Sequence, residues 1–161
     1  MSWNVINTPV GELLLVAEQD ALRQVKFSPG RRPAHPATPD HPVLTAAAEQ
    51  LRSYFAGTLT AFTIPLDLRG SDFERRVWAA LRTIPYGQTC SYGEIATAVG
   101  DPSAARAVGV ANNRNPVSII VPCHRVIGAD GKLVGYGGGL GRKRQLLQLE
   151  ARVAIERDFA M

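Results

Sequence analysis

The chain has 161 residues, 45% of them hydrophobic and 20% charged, a globular composition that excludes an intrinsically disordered protein. It has no apolar run long enough to span a bilayer, no recognisable signal peptide and only two cysteines, so we expect a cytoplasmic protein. The net charge of +4 arises in residues 71–161, which hold twelve basic and eight acidic side chains, and this fits either a polyanion-binding surface or a merely solvated basic one.

The first part of the sequence predicts a small α/β unit. Its predicted elements are strands at 13–17, 22–27 and 61–68, a Pro-rich loop at 30–41 and a helix at 43–56. Pro65 places the last strand at a sheet edge, because proline has no N–H for an inner ladder. No chemical motif is found in this part.

Gly70-Ser71 is the predicted boundary between an N-terminal domain, 1–70, and a C-terminal domain, 71–161. Capping boxes start two helices of the second domain, at Ser71–Glu74 and at Ser91–Glu94. The predicted helices run from 72 to before Pro85, from 92 to Gly100, and from 104 to about 112. This domain is therefore expected to be mainly helical.

The last two of these helices have the dimensions of a helix-turn-helix, although an ordinary helical hairpin gives the same pattern. The second of them, 104–111, consists of small residues and the single long side chain of Arg106. Small side chains let a helix backbone approach another helix or a DNA groove. Arg106 then either inserts into a base stack or lies exposed with its stem on apolar surface.

Cys123 is the candidate nucleophile. The apolar run 117–121 predicts a buried strand that Pro122 ends, and this strand would present the thiol beside His124 and Arg125. Cationic neighbours lower the pKa of a thiol and so favour the nucleophilic thiolate. The alternative is an inert, packed cysteine.

Glu150 interrupts an apolar helix face formed by Leu146, Leu147, Val153 and Ala154. A buried carboxylate needs a partner, and His124 is the candidate because His35 and His41 flank the Pro-rich loop. Cys123, His124 and Glu150 would then act as nucleophile, base and orienting group. The alternative is that Glu150 reaches solvent at a helix end.

Adjacent residues of an extended segment point to opposite faces. We therefore favour a water that carries the proton between Cys123 and His124, with a turn of the chain at Pro122 as the alternative.

Glycines follow Cys123 at 128, 131, 135 and 137–139, around Tyr136. They match neither a P-loop nor a dinucleotide-binding loop, and they suit a loop that folds over a flat substrate. Asn115-Pro116 predicts a turn. Because no His or Cys cluster has metal-ligand spacing, we expect no metal and no cofactor.

Several short motifs of the second part occur together. In chain order they are Phe73-x-x-x-Val77-Trp78, Ile84-Pro85-Tyr86-Gly87, Ser91-Tyr92-Gly93, Ala105-Arg106-Ala107-Val108-Gly109, Asn112-x-x-Asn115-Pro116, Pro122-Cys123-His124-Arg125-Val126, Gly135-Tyr136-x-Gly138-Gly139, Lys143 and Glu150. This ordered set resembles the O6-alkylguanine-DNA alkyltransferase family (methylated-DNA–protein-cysteine methyltransferases). Residues 1–70 resemble the less distinctive N-terminal domain of that family more loosely.

The resemblance implies an α/β protein with a ribonuclease H-like N-terminal domain and a helix-turn-helix C-terminal domain. It implies DNA repair in which Cys123 takes the alkyl group from O6-alkylguanine irreversibly, once per molecule. The implied partner is double-stranded DNA, bound through its minor groove with the damaged nucleotide flipped out. We expect a monomer that binds no membrane, and cooperative binding to DNA stays open.

The resemblance also implies residue roles. His124 would deprotonate Cys123 through a water, Glu150 would orient His124, and Tyr92 would give a proton to the leaving base. Arg106 would fill the gap left by the flipped nucleotide. The implied DNA-contacting residues are Ser91, Ala105, Arg106, Ala107 and Gly109, and the implied pocket or supporting residues are Asn115, Arg125, Tyr136 and Lys143.

Two features depart from the family pattern or have no place in it. Some members bind zinc through N-terminal Cys and His residues, but residues 1–70 contain no Cys, so no zinc is expected. Cys90 has no implied role and is interpreted as an incidental small residue.

Two other functions fit part of the sequence. A non-catalytic protein that binds alkylated DNA would not need Cys123. A thiol hydrolase using Cys123, His124 and Glu150 would leave the helix-turn-helix without a purpose.

Overall fold

The computed structural model describes residues 1–27 and 30–159, which group into two compact units. The first unit contains Met1–Arg69 and Pro116–Ser118, and the second contains Gly70–Asn115 and Ile119–Met161. A sheet with one helix forms the first unit and the second is mainly helical, which confirms the predicted fold class. Pro116–Ser118 groups with the first unit, although the predicted domain limits place these residues in the second domain. Among the described helices, none combines the length and the apolar character needed to span a membrane.

Three strands form the sheet of the first unit: β1 (Ser2–Thr8), β2 (Gly11–Glu18) and β3 (Ala21–Phe27). They pair antiparallel in the order β1-β2-β3. Gly11 opens β2 with φ 101°, a left-handed conformation that glycine adopts without strain. The central position of β2 explains its continuous apolar run, because residues 13–17 are all buried.

Helix α1 (Pro42–Phe55) packs on this sheet. Its N-cap is His41, whose Nδ1 accepts a hydrogen bond from the backbone N–H of Val43 at 3.2 Å. Leu44, Ala47 and Leu51 are fully buried at the three- and four-residue spacing of a helix face. The helix lies within one residue of the predicted 43–56.

The predicted strand at 61–68 is wrong. Leu66 alone pairs with Leu22 of β3, in an isolated parallel bridge. The N–H of Leu22 donates to Pro65 O at 2.8 Å, and the N–H of Asp67 donates to Leu22 O at 3.0 Å. Val117 makes a similar single bridge to Val25. The outer edge of β3 is thus covered by two one-residue contacts instead of a fourth strand.

The second unit contains four α-helices, a 3-10 helix and two short strands among its described residues. They are α2 (Asp72–Leu81), β4 (Cys90–Ser91), α3 (Tyr92–Ala98), α4 (Ala105–Asn113), the 3-10 helix (Cys123–Arg125), β5 (Val126–Ile127) and α5 (Leu140–Phe159). Strands β4 and β5 pair in parallel. Both predicted capping boxes are confirmed, at Ser71 with Glu74 and at Ser91 with Glu94.

Helices α3 and α4 pack on each other and on α2, and residues 99–104 connect them. Gly100 in this connection has φ 91°, where a side chain would be strained. The indole N–H of Trp78 donates to Ala111 O at 2.9 Å and so ties α2 to α4. Because Val108, Ala111 and Asn112 form the buried face of α4, its opposite face is free to contact another molecule.

Candidate active site

The chain around Cys123 is a tight turn rather than the predicted strand. Ile119 has φ 74°, a left-handed conformation that β-branched residues rarely adopt and that ends any extended run at 117–121. Cys123–Arg125 form a 3-10 turn, in which the N–H of Arg125 donates to Pro122 O at 3.0 Å. The predicted extended arrangement of Cys123 and His124 is therefore wrong, and the chain turns at Pro122 instead.

Two asparagine side chains hold this turn. Asn115 Nδ2 donates to Val121 O at 2.8 Å, and Asn112 Nδ2 donates to Cys123 O at 3.3 Å. Buried carbonyls need such donors to stay paired. The sequence interpretation gave Asn112 no role beyond its place in a motif. The available signal was a polar residue on the same face of α4 as Val108 and Ala111.

Glu150 lies on the buried face of α5 and contacts two cationic or ionisable side chains. Its Oε2 is 2.6 Å from His124 Nε2, so the predicted contact is present. Arg125 Nε donates to Oε1 at 2.7 Å and Arg125 Nη2 donates to Oε2 at 3.1 Å. Glu150 is 1% exposed, which excludes the alternative in which it reaches solvent. The sequence analysis correctly predicted His124 as a partner of Glu150, but it did not predict Arg125 as the second partner.

The guanidinium of Arg125 has two further contacts in the interior. Its Nη1 donates to Ile84 O at 2.8 Å, and its Cζ lies 5.5 Å from the centroid of the Tyr86 ring. Together with the fork to Glu150, these contacts fix the side chain in the interior. Arg125 therefore pairs with the Glu150 carboxylate and neutralises its charge.

Charges in this cluster are assigned by burial and pairing. Burial alone would raise the pKa of Glu150, but the hydrogen bonds and charges of His124 and Arg125 lower it to about 2. The pKa of His124 is lowered, chiefly by burial and further by the charges of Arg125 and Lys143, although Glu150 opposes the shift. Near neutral pH the carboxylate is therefore ionised and the imidazole is neutral.

The neutral imidazole has one defined tautomer. Nε2 must carry the proton, because it faces the Glu150 carboxylate at 2.6 Å. Nδ1 therefore carries the lone pair, and this buried atom has no hydrogen-bond partner among residues 1–27 and 30–159. The Nδ1 lone pair of His124 is thus available to accept a proton.

The Cys123 thiol is 4% exposed, and burial raises its pKa. Hydrogen bonding with Asn115 and Tyr136 and the charge of Lys143 oppose this effect without cancelling it. The expectation of a thiol pKa lowered by its sequence neighbours is therefore wrong in direction. Burial outweighs the cationic groups, so the thiol is protonated at rest and needs a base.

The glycine-rich loop, residues 128–139, is bound to α3 and α5 through polar side chains. Lys143, fully buried at the start of α5, donates from Nζ to Val134 O at 3.0 Å and to Gly135 O at 3.4 Å. The Tyr92 hydroxyl also donates to Val134 O, at 3.0 Å. The ammonium lies 6.0 Å from the ring centroids of both Tyr92 and Tyr136.

Both tyrosines remain protonated in this setting. Burial raises the pKa of Tyr92 and raises that of Tyr136 well above its ordinary value, and a charge on Cys123 acts in the same direction. Burial lowers the pKa of Lys143, while Cys123 opposes that shift. Tyr92 and Tyr136 are therefore hydrogen-bond donors near the thiol.

The predicted DNA-contacting residues lie on or beside α4. Arg106 and Ala107 are exposed, Ala105 and Gly109 are half-buried, and Ser91 caps α3. A Cβ added at Gly109 would lie 3.8 Å from the Tyr92 ring, so α4 passes directly beside this tyrosine. Val110, 53% exposed, extends the same surface and was not predicted.

Cys90 is a half-buried free cysteine in β4, and burial raises the pKa of its thiol. This environment favours the inert thiol form. In the part of the chain that the structure describes, no three His, Cys, Asp or Glu side chains are grouped to hold a metal ion.

Two family models match the chain. The model described as "6-O-methylguanine DNA methyltransferase, DNA binding domain" matches residues 72–152. The model described as "6-O-methylguanine DNA methyltransferase, ribonuclease-like domain" matches residues 1–68. Together they cover most of the sequence.

Known proteins are similar over nearly the whole length. The chain is 55% identical over 153 residues to a methylated-DNA–protein-cysteine methyltransferase of Mycobacterium tuberculosis, covering 92% of this chain and 91% of the relative. It is 48% identical to one of Methanosarcina acetivorans, covering 93% and 98%. The crystal structure of Mycobacterium tuberculosis OGT in complex with DNA superposes with a TM-score of 0.88 at 54% identity, covering 95% of this chain and 94% of that one.

Proposed function

The chain belongs to the 6-O-methylguanine DNA methyltransferase family, and on this premise we propose that it moves the alkyl group of O6-alkylguanine in DNA onto its own Cys123. It is a methylated-DNA–protein-cysteine methyltransferase, an enzyme of DNA repair by alkyl transfer. The observation that carries the assignment to Cys123 is the adjacent His124, which is neutral, held by Glu150 and basic at Nδ1.

The first step is removal of the thiol proton. Because burial raises the pKa of Cys123, the thiolate forms only when a base takes the proton. His124 Nδ1 is that base, through a bridging water between the two side chains. Ionised Glu150 stabilises the resulting imidazolium through Nε2.

The second step is a displacement at the alkyl carbon. A bond forms between Cys123 Sγ and this carbon while its bond to guanine O6 breaks, and the electron pair goes to the base. Tyr92 gives its hydroxyl proton to the leaving base, and the imidazolium and tyrosinate then return to neutrality by proton exchange. The thiol loses as many protons as guanine gains, so no cofactor is consumed. The thioether has no good leaving group, so each molecule reacts once.

DNA is bound through the exposed face of α4. Its small residues let the helix enter the minor groove, and Arg106 takes the place of the flipped nucleotide. Tyr92 beside Gly109 connects this face to the thiol. Because every proposed site residue lies in the second unit of one chain, a monomer is sufficient.

The function is tested by intact mass spectrometry after incubation with a duplex that contains O6-methylguanine. One methyl group per protein molecule should appear on Cys123, and repaired guanine should never exceed the amount of protein. Binding without methylation would identify a non-catalytic DNA-binding protein, and repeated turnover would identify a different chemistry. Either result contradicts the proposal.

Arg106→Ala should slow repair of duplex by about tenfold or more, because nothing else would hold the unstacked gap open. Reaction with free O6-methylguanine base should stay within about twofold of the wild-type rate, since no stack must be opened there. Single-turnover kinetics on both substrates measure the difference. Arg82→Ala, which removes another exposed arginine of the same unit, is the matched control. Equal slowing on both substrates would argue against the inserted side chain.

A further inference from the structure

One backbone carbonyl of the glycine-rich loop accepts hydrogen bonds from two side chains. Val134 O lies 3.0 Å from the Tyr92 hydroxyl and 3.0 Å from Lys143 Nζ. A carbonyl oxygen has two lone pairs, so both bonds can exist together. A tyrosine hydroxyl has only one proton, and here that proton is directed at the backbone.

This arrangement conflicts with the role proposed for Tyr92. The hydroxyl cannot give its proton to the leaving base while the same proton remains on Val134 O. It must turn away from the carbonyl when the flipped nucleotide arrives. A carbonyl that loses its donor is destabilised, and the loop that carries it would lose one of its ties to α3.

Lys143 is built to keep that carbonyl paired. The side chain is fully buried, and within residues 1–27 and 30–159 it forms no ion pair, while two of its three N–H donors bind carbonyls of the loop. Nζ also donates to Gly135 O at 3.4 Å. The rings of Tyr92 and Tyr136, each 6.0 Å away, contribute a favourable environment for the ammonium.

We propose that Lys143 is a positioning residue for Tyr92. When the Tyr92 hydroxyl turns from Val134 O to the flipped base, Lys143 Nζ keeps its hydrogen bond to this carbonyl, and Tyr92 is then free to transfer its proton. The inference rests on the proposed function, because it needs Tyr92 as the proton donor. The proton moves from the Tyr92 hydroxyl to guanine as the bond between the alkyl carbon and O6 breaks. The nearby ammonium then faces the tyrosinate until exchange restores its proton.

A double-mutant cycle tests the coupling, with transfer rates measured in single turnover at saturating O6-methylguanine duplex. Tyr92→Phe should slow transfer by about 100-fold, the usual size of a general-acid contribution. Lys143→Met should slow it about tenfold in the wild-type background and only about threefold in the Tyr92→Phe background, where the effect of the Lys143 charge on the thiol pKa is all that remains. The coupling arises because Lys143 acts through the proton that Tyr92→Phe removes.

Two further variants distinguish positioning from support of the fold. Lys143→Arg should recover most of the rate, because a guanidinium can donate to both carbonyls. Lys26→Met removes an exposed lysine of β3 in the first unit and should leave the rate unchanged. Thermal unfolding is recorded for each protein, and if Lys143→Met does not fold the cycle is run with Lys143→Gln.

The outcomes separate this inference from the function on which it rests. Equal losses from Lys143→Met in both backgrounds, or no loss in the wild-type background, would overturn the role of Lys143 while leaving alkyl transfer intact. No transfer by the wild-type protein would overturn the function and this inference together.

Discussion

Replacing Cys123 with Ser should abolish methyl transfer, with a loss on the order of 10⁴-fold or more. The side chain keeps its size, but a hydroxyl has a far higher pKa than a thiol, and the neutral imidazole of His124 is too weak a base to ionise it. Burial of Cys123 makes this difference larger, because the anion gains little from water. Transfer of a labelled methyl group from duplex to protein is the measurement.

The control for this loss is Cys90→Ser, which should transfer at the wild-type rate because Cys90 lies outside the cluster of His124 and Glu150. Duplex affinity, measured by fluorescence anisotropy, should stay close to wild type in both variants. Methylation that survives Cys123→Ser would place the acceptor elsewhere and remove the basis of the proposed mechanism.

Glu150→Ala should lower the free energy of unfolding by about 3–5 kcal/mol, as expected when one partner of a buried ion pair is removed. Arg125 would keep its charge in the interior without its carboxylate, and His124 would lose the acceptor at Nε2. Urea denaturation measures the change. Glu156→Ala, which breaks an exposed pair with Arg152 at 3.8 Å, should cost less than about 1 kcal/mol.

The pH dependence of stability checks the same carboxylate. The folded-state pKa of Glu150, about 2, lies below its ordinary value of 4.5. Its contribution is therefore fully present above about pH 4.5 and is lost as the pH falls towards 2. Glu150→Gln should remove this part of the acid dependence. An unchanged acid profile, or Glu150→Ala as stable as Glu156→Ala, would contradict the buried ion pair.

Local signals in the sequence were sufficient for the helices of the second unit. The capping boxes at Ser71 and Ser91 involve side chains three residues apart, so their geometry does not depend on the rest of the fold. Glu150 was predicted correctly as buried because helix periodicity places it among apolar residues. Its pairing with His124 followed from the cost of a buried charge.

Tertiary contacts decided what the sequence could not indicate. Residues 61–68 and 117–121 have strand-like composition. Each segment nevertheless pairs with β3 through a single isolated β-bridge, at Leu66 and at Val117. The left-handed Ile119 then turns the chain away from an extended path. No local pattern predicts such a conformation for a β-branched residue.

The environment of Cys123 depended on the same contacts. Sequence neighbours suggested that cations would lower the thiol pKa, but Arg125 is used by Glu150, and burial raises the pKa instead. The cation that does act on the thiol, Lys143, is distant in sequence. Local sequence therefore indicated the candidate nucleophile, and it gave the wrong direction for the shift of the thiol pKa.

The short parallel pairing of β4 with β5 has a consequence for how sequences of this type can diverge. Cys90 pairs with Val126 and Ser91 with Ile127, so the start of α3 and the end of the Cys123 turn share one ladder. This backbone pairing connects the segment that carries Tyr92 to the segment that carries the thiol. Exposed positions of the intervening α4 such as Ala107 and Val110 can change without altering this pairing. Preference for a DNA sequence context can thus evolve while the chemistry stays constant.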